Sequence, residues 1–218
     1  TPGQLVHGRH ARGPCDFDAE RDPLCIRSLT LKHDLSLIET CVHVALASGD
    51  ARLTHASDGT PFFGLATDFV SYSWHCTSCG ELWTSLQTAD ADVAATTMEN
   101  DQARPSPKPG HRFYWIDMFA VTQHKGSHQA ADLHFEAVIA AAVRTVAVMT
   151  PWADPAMLHR CWCLHELHCT HEAAKPLAVA MPPAEAAAFR GAVASNFGSI
   201  LMTQAVCVNS KQAVASLQ

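Results

Sequence analysis

The chain predicts an α/β fold, an open parallel sheet of about five strands with helices on both faces. Two observations carry this. Short apolar runs rich in β-branched residues, such as Thr145 to Met149, alternate with longer stretches of helical period. Strands and helices alternating at this length call for parallel pairing with right-handed crossovers. A third fixes the scale: 218 residues suffice for one substantial domain and an extension, with ample length for a core.

Residues 1–23, rich in Gly, Pro, Arg and His, read as a loosely ordered lead-in. From Ser28 to Ala47, Leu31, Leu35, Ile38, Val42 and Ala45 recur at helical steps, and Ser48-Gly49-Asp50 ends that helix. Residues 1–61 are therefore expected as an N-terminal extension with one helix, and 62–218 as the α/β domain. Thr67 to Trp74 is the first strand of that domain. Gly80 to Met98, with Leu82, Leu86, Ala89 and Val93, is a helix packed back on the sheet. Asn100 to Gly110 holds three prolines and is a linker. Arg112 to Asp117 is the second strand, and Ala-rich Gln129 to Arg144 the next helix. Thr145 to Met149 follows as a buried strand, ended by Pro151. Asp154-Pro155 is a helix start, because Asp caps free N–H groups and Pro fits the first helical position. That helix runs about five turns, to Pro176. Pro176 to Met181 is a fourth strand, Pro183 to Phe197 a helix, and Ile200 to Val208 the expected fifth strand.

A net charge of −6, a pI near 6.1 and no Lys/Arg run argue against a nucleic-acid binder held by a basic patch. No apolar stretch reaches the roughly 18 residues that a membrane span requires. Thr1-Pro2-Gly3-Gln4 holds neither an initiator Met nor a signal-peptide core, so the chain is expected to be an excerpt of something longer. Nine Cys, an odd number without regular spacing, are expected as reduced thiols in a cytoplasmic setting.

Within the strand–helix unit, Trp162-Cys163-Leu164-His165-Glu166-Leu167 follows a Val-containing strand and a short Pro-containing loop. This run resembles the Trp-Cys-Leu-x-Glu-Leu run of TIR domains, best known in plant immune receptors. Two further stretches agree in order. Ser71-Tyr72-Ser73 ends an apolar strand as in the first TIR box, and Arg112 to Asp117 is similar to the second TIR strand, which tends to finish in an acidic residue. The resemblance covers roughly residues 62 to 218 and implies a flavodoxin-like sheet. One departure is Arg160-Cys161, where plant sequences commonly place a Ser.

The resemblance implies that Glu166 is the catalytic carboxylate of an NAD+ hydrolase or cyclase, with NAD+ as substrate and no bound cofactor. The chemistry is coherent on its own terms. Nicotinamide leaves NAD+ as a neutral group and needs no acid, so what must be stabilised is oxocarbenium-like charge on the ribose. One placed carboxylate supplies that. Ser73, Trp74, Asp117 and Arg160 are the candidate nucleotide-binding residues: Trp74 to stack on a ring, Arg160 to pair a phosphate. Four have a plain alternative. Glu166 would then be a solvated helix residue, Trp74 a core aromatic and Asp117 a turn cap, while Arg160 could equally crowd the pocket. Trp162 and Trp115 read as packing residues. In TIR domains the loop matching Met118 to His128 packs on a neighbouring subunit, so self-association is expected. The rival function is a non-catalytic scaffold for other TIR-like domains, or a nucleotide-sensing module.

Metal chemistry competes weakly. His165, His168, Cys169 and Glu172 share a helix facet, and Cys76 and Cys79 form a Cys-x-x-Cys. His165-Glu166-Leu167-His168 is one residue too short for a His-Glu-x-x-His pattern. The expectation is no metal site.

Overall fold

β1 (Asp68–Ser71) and β3 (Arg144–Val148) are buried along their whole length, as strands covered on both faces must be. They form the centre of a four-stranded sheet in a computed structural model that describes residues 26–30, 32–74, 76–99, 112–124 and 134–207. The order is β2 (Tyr114–Trp115), β1, β3, β4 (Leu177–Ala180), and every pairing is parallel. Asp68 stands opposite Arg144 and Ser71 opposite Ala147. This is the α/β open sheet that the sequence predicts, with four strands in place of about five.

Side chains alternate across β1 and β3, giving each face its own core. On one face Val70, Tyr72, Val146 and Val148 meet Leu82, Leu86 and Ala89 of α3 (Cys79–Glu99). Ile26 of α1 (Ile26–Thr30), Leu37 of α2 (Leu37–Ser48) and Met118 of α4 (Asp117–Ala120) join the same cluster. Packing thus crosses the 61/62 position at which the domain was expected to begin. On the other face Phe69 meets Phe135 and Ile139 of α5 (Phe135–Ala141) and Cys169 of α6 (Cys161–Glu172). Trp115 stacks on Phe69 with ring centroids 5.0 Å apart, and Trp162 meets Phe135 edge-on. Both tryptophans pack the helices onto the sheet.

Several boundaries differ from expectation. The Ser28–Ala47 helix is two, because Ser36 starts a new one: its hydroxyl accepts from the Glu39 N–H while the Glu39 carboxylate accepts from the Ser36 N–H. Gly49, at φ 71°, closes α2 in the left-handed conformation that suits glycine. The second strand shrinks to two residues, since Asp117 opens α4. The helix expected over Gln129 to Arg144 is α5, and residues 129–133 lie outside those described. Asp154 does not cap a helix; its carboxylate bonds His159 Nε2 at 2.6 Å. Pro155 instead leads a 3₁₀ turn (Ala156–His159), Arg160 is extended, and α6 begins at Cys161. The expected fifth strand is absent from the described residues, because Ile200 to Cys207 continues α7 (Pro183–Cys207) beyond a break at Asn196. A short apolar run does not by itself separate strand from helix, and Leu201, Met202, Gln204 and Ala205 favour helix. No helix among the described residues is long and apolar enough to cross a membrane.

Candidate functional site

In the order β2-β1-β3-β4 the chain runs outward in opposite directions from β1 and β3, so the switch point lies between those two strands. Ligands in open α/β sheets bind at that point, beyond the strands' C-terminal ends. β1 ends at Ser71 and leads into the loop through Ser73 and Trp74. β3 leads through a loop with a cis Thr150–Pro151 peptide to Arg160 and α6.

Glu166 reaches across from α6 to β1. Its Oε2 accepts the Ser71 hydroxyl at 2.5 Å, and the residue is only 6% exposed. The positions explain this meeting. Cys163, Glu166, Cys169 and Thr170 are the buried residues of α6, at the three- and four-residue steps of one helix face. Ser71 lies on the same side of β1 as Phe69, the side that α6 covers. Thr170 Oγ1 anchors the next turn, donating to the Glu166 carbonyl at 2.8 Å. Glu166 is therefore not a solvated surface residue.

The electrostatics favour its neutral form. Burial pushes the Glu166 carboxyl up to about 8, with the nearby Asp117 charge adding to the rise. The Ser71 hydrogen bond and the positive Arg160 oppose it. Asp117 is pushed up to about 6, again by burial first. Its Oδ2 accepts Trp74 Nε1–H at 2.7 Å and its Oδ1 the Met118 N–H at 2.7 Å. The buried Tyr72 hydroxyl lies beside Asp117, outside hydrogen-bond geometry. Cys163 donates its thiol to the Tyr72 carbonyl at 3.3 Å, and burial pushes that thiol up to about 12, which makes it an inert core group.

Four of the five candidate residues thus come together. Arg160 influences both Glu166 and Asp117, and Trp74 is tied to Asp117 through its indole N–H. The Trp74 ring packs against the core cluster around Val70, which is the plain alternative for an aromatic there. Ser73 is buried at the head of the turn, where its carbonyl accepts from Thr77 N at 3.0 Å, and it does not reach Glu166 as Ser71 does. Ser71 is the residue that reading the sequence missed. Alternation along β1 was the available signal, since Phe69 and Ser71 share a side.

The cysteines Cys41, Cys76, Cys79, Cys161, Cys163 and Cys169 are free thiols. Cys76 is exposed while Cys79 contacts Met118 Sδ at 3.6 Å, so the Cys-x-x-Cys gathers no ligand set among the described residues. His168 and Glu172 are exposed and stand apart from His165 and Cys169, which instead meet Glu136 of α5. No family model, curated protein or solved structure matches this chain.

Proposed function

We propose that the chain is a TIR-like domain that cleaves NAD+ at the nicotinamide–ribose bond, with Glu166 as the catalytic carboxylate. The observation that carries this reading is the buried Ser71–Glu166 hydrogen bond bridging β1 and α6 at the switch point. A carboxylate held there by a strand-end serine is placed for a ligand entering between the β1 and β3 loops. Arg160 brings positive charge to the same place and suits a dinucleotide phosphate. Trp74 and Asp117, joined through the indole N–H, lie close by.

Glu166 acts by charge. Nicotinamide departs with the bonding electron pair, which neutralises its pyridinium nitrogen, and positive charge develops on the ribose. The ionised carboxylate stabilises that charge, and water or an internal nucleophile then takes the anomeric carbon. At rest the group is largely protonated near neutral pH, given a value of about 8. A bound cationic nicotinamide ring favours the ionised form and releases the proton. Nicotinamide release is therefore expected to rise with pH towards about 8.

The decisive experiment follows nicotinamide release by chromatography for wild type and Glu166→Gln at matched concentration. Turnover is expected to fall at least ~100-fold in the variant, the scale of one preorganised electrostatic group, with far less change in KM. Equal rates would remove Glu166 from the mechanism. Release by neither protein, even when concentrated, would give the lead to the non-catalytic scaffold. Self-association through the segment Met118 to His128 belongs to the same reading, although Met118 itself is buried in α4 and residues 125–128 lie outside those described. The rate per subunit should then rise with concentration, and a flat rate over about a hundredfold dilution would remove that part.

A further inference from the structure

We propose that Glu136, His165 and Cys169 form a binding site for a zinc-like divalent ion that ties α5 to α6. This site is separate from the proposed catalytic one. His165 and Cys169 are one helical turn apart on α6. The edge-on contact of Phe135 with Trp162 holds α5 alongside, which brings the Glu136 carboxylate to the same place.

The spacings fit a tetrahedral ion. His165 Nε2 stands 3.2 Å from Glu136 Oε1 and 3.6 Å from Cys169 Sγ, and the three ligand atoms lie within 4.8 Å of one another. Zinc–nitrogen and zinc–oxygen bonds near 2.0 Å and a zinc–sulfur bond near 2.3 Å require neighbouring ligand atoms about 3.5 Å apart. Cys169 Sγ also lies 3.9 Å from His165 Nδ1, so the half-exposed ring turns modestly about its soft terminal torsion to aim Nε2 at the centre.

The donor set selects the ion. One sulfur, one imidazole and one carboxylate suit zinc and its borderline neighbours, and a thiolate disfavours magnesium and calcium. Three protein ligands leave the fourth position to solvent. Cys169 binds as thiolate and passes its proton to the buffer, while His165 binds neutral and Glu136 ionised. Two negative ligands then balance the divalent charge, and the buried sulfur supports a half-exposed rim.

Cobalt(II) is the probe, titrated into the whole chain, because a cobalt–thiolate bond adds a near-ultraviolet charge-transfer band. One equivalent should bind with that band, zinc should displace it, and zinc should raise the melting temperature until a chelator is added. Cys169→Ala should abolish the band. Glu136→Gln changes an exposed side chain and spares the fold, and it should weaken binding at least ~10-fold. Absence of a thiolate band at stoichiometric cobalt overturns the site. So does a band that keeps its intensity and affinity in both Glu136→Gln and His165→Ala, which would place the ion on other cysteines. Neither result depends on nicotinamide release, so the two proposals fail separately.

Discussion

Asp68 and Glu166 are buried carboxylates at opposite ends of β1, and the fold treats them in opposite ways. Asp68 is 0% exposed and fully compensated. It accepts from Arg144 Nε, from Arg112 at 3.0 and 3.2 Å, and from the Thr67 hydroxyl at 2.6 Å. The same arginines reach Asp90, which also takes the Tyr114 hydroxyl at 2.5 Å. Glu166 accepts the Ser71 hydroxyl, has a like charge nearby in Asp117, and finds partial relief in Arg160. The N-terminal end of the strand uses charge to lock β1 to β2 and β3. The C-terminal end holds a carboxyl whose ionised form its surroundings disfavour, a pattern found at reactive groups and in structural networks alike.

Breaking the compensated end should have the largest effect. Asp68→Asn removes the buried anion that Arg112 and Arg144 share and leaves them only the more distant Asp90, and stability to urea should fall by roughly 3–5 kcal/mol. A loss below about 1 kcal/mol would show that the network contributes little. At the other end the sign reverses. A carboxyl raised in the folded state binds a proton that the unfolded chain has lost, so its contribution is full below the ordinary carboxylate range and disappears as pH rises to about 8. Wild-type stability should therefore decline between about pH 5 and 8. Glu166→Gln keeps an oxygen to accept from Ser71 and removes the charge. It should be more stable than wild type at pH 8.5 by roughly 1–3 kcal/mol, with a flatter pH dependence. Thermal melts across that range check it, and parallel curves for the two proteins would overturn it.

The smallest effects sharpen the proposed catalytic end. Asp117→Asn removes the like charge and should move the pH profile of nicotinamide release down, by less than about one unit. Ser71→Ala removes the hydrogen bond to the carboxylate and should move it up. Shifts of the same sign in both variants would mean that another group sets the profile.

The strands and Glu166 were legible in the sequence, and the contrast between the two carboxylates was not. The alternation of β-branched runs and helical stretches placed the strands, and the Trp162–Leu167 run pointed to Glu166. Its burial was not legible, because a helical glutamate shows no burial until the opposing strand is known. Asp68 was passed over for a similar reason: a charged residue opening an apolar strand reads as an edge position until Arg112 and Arg144, far along the chain, are placed beside it. Glu136 joined His165 for the same cause, being on another helix. Helix ends were misread where local chemistry had a competing use, as with Asp154 bonding His159 in place of capping.

The Asp68–Arg144 bond joins residues 76 apart in sequence, and it sits at the start of the ladder that unites the two central strands. A ribosome synthesising this chain must release β1, α3 and β2 before the partner that covers them exists. During that interval Phe69 and Val70 form an apolar ribbon with unpaired backbone, which any similar segment nearby can template. The loop that must close is long, so collapse into the native pairing should be slow compared with a helical protein of this size. Yield in a cell should then depend less on final stability than on how well this ribbon is shielded before Arg144 emerges.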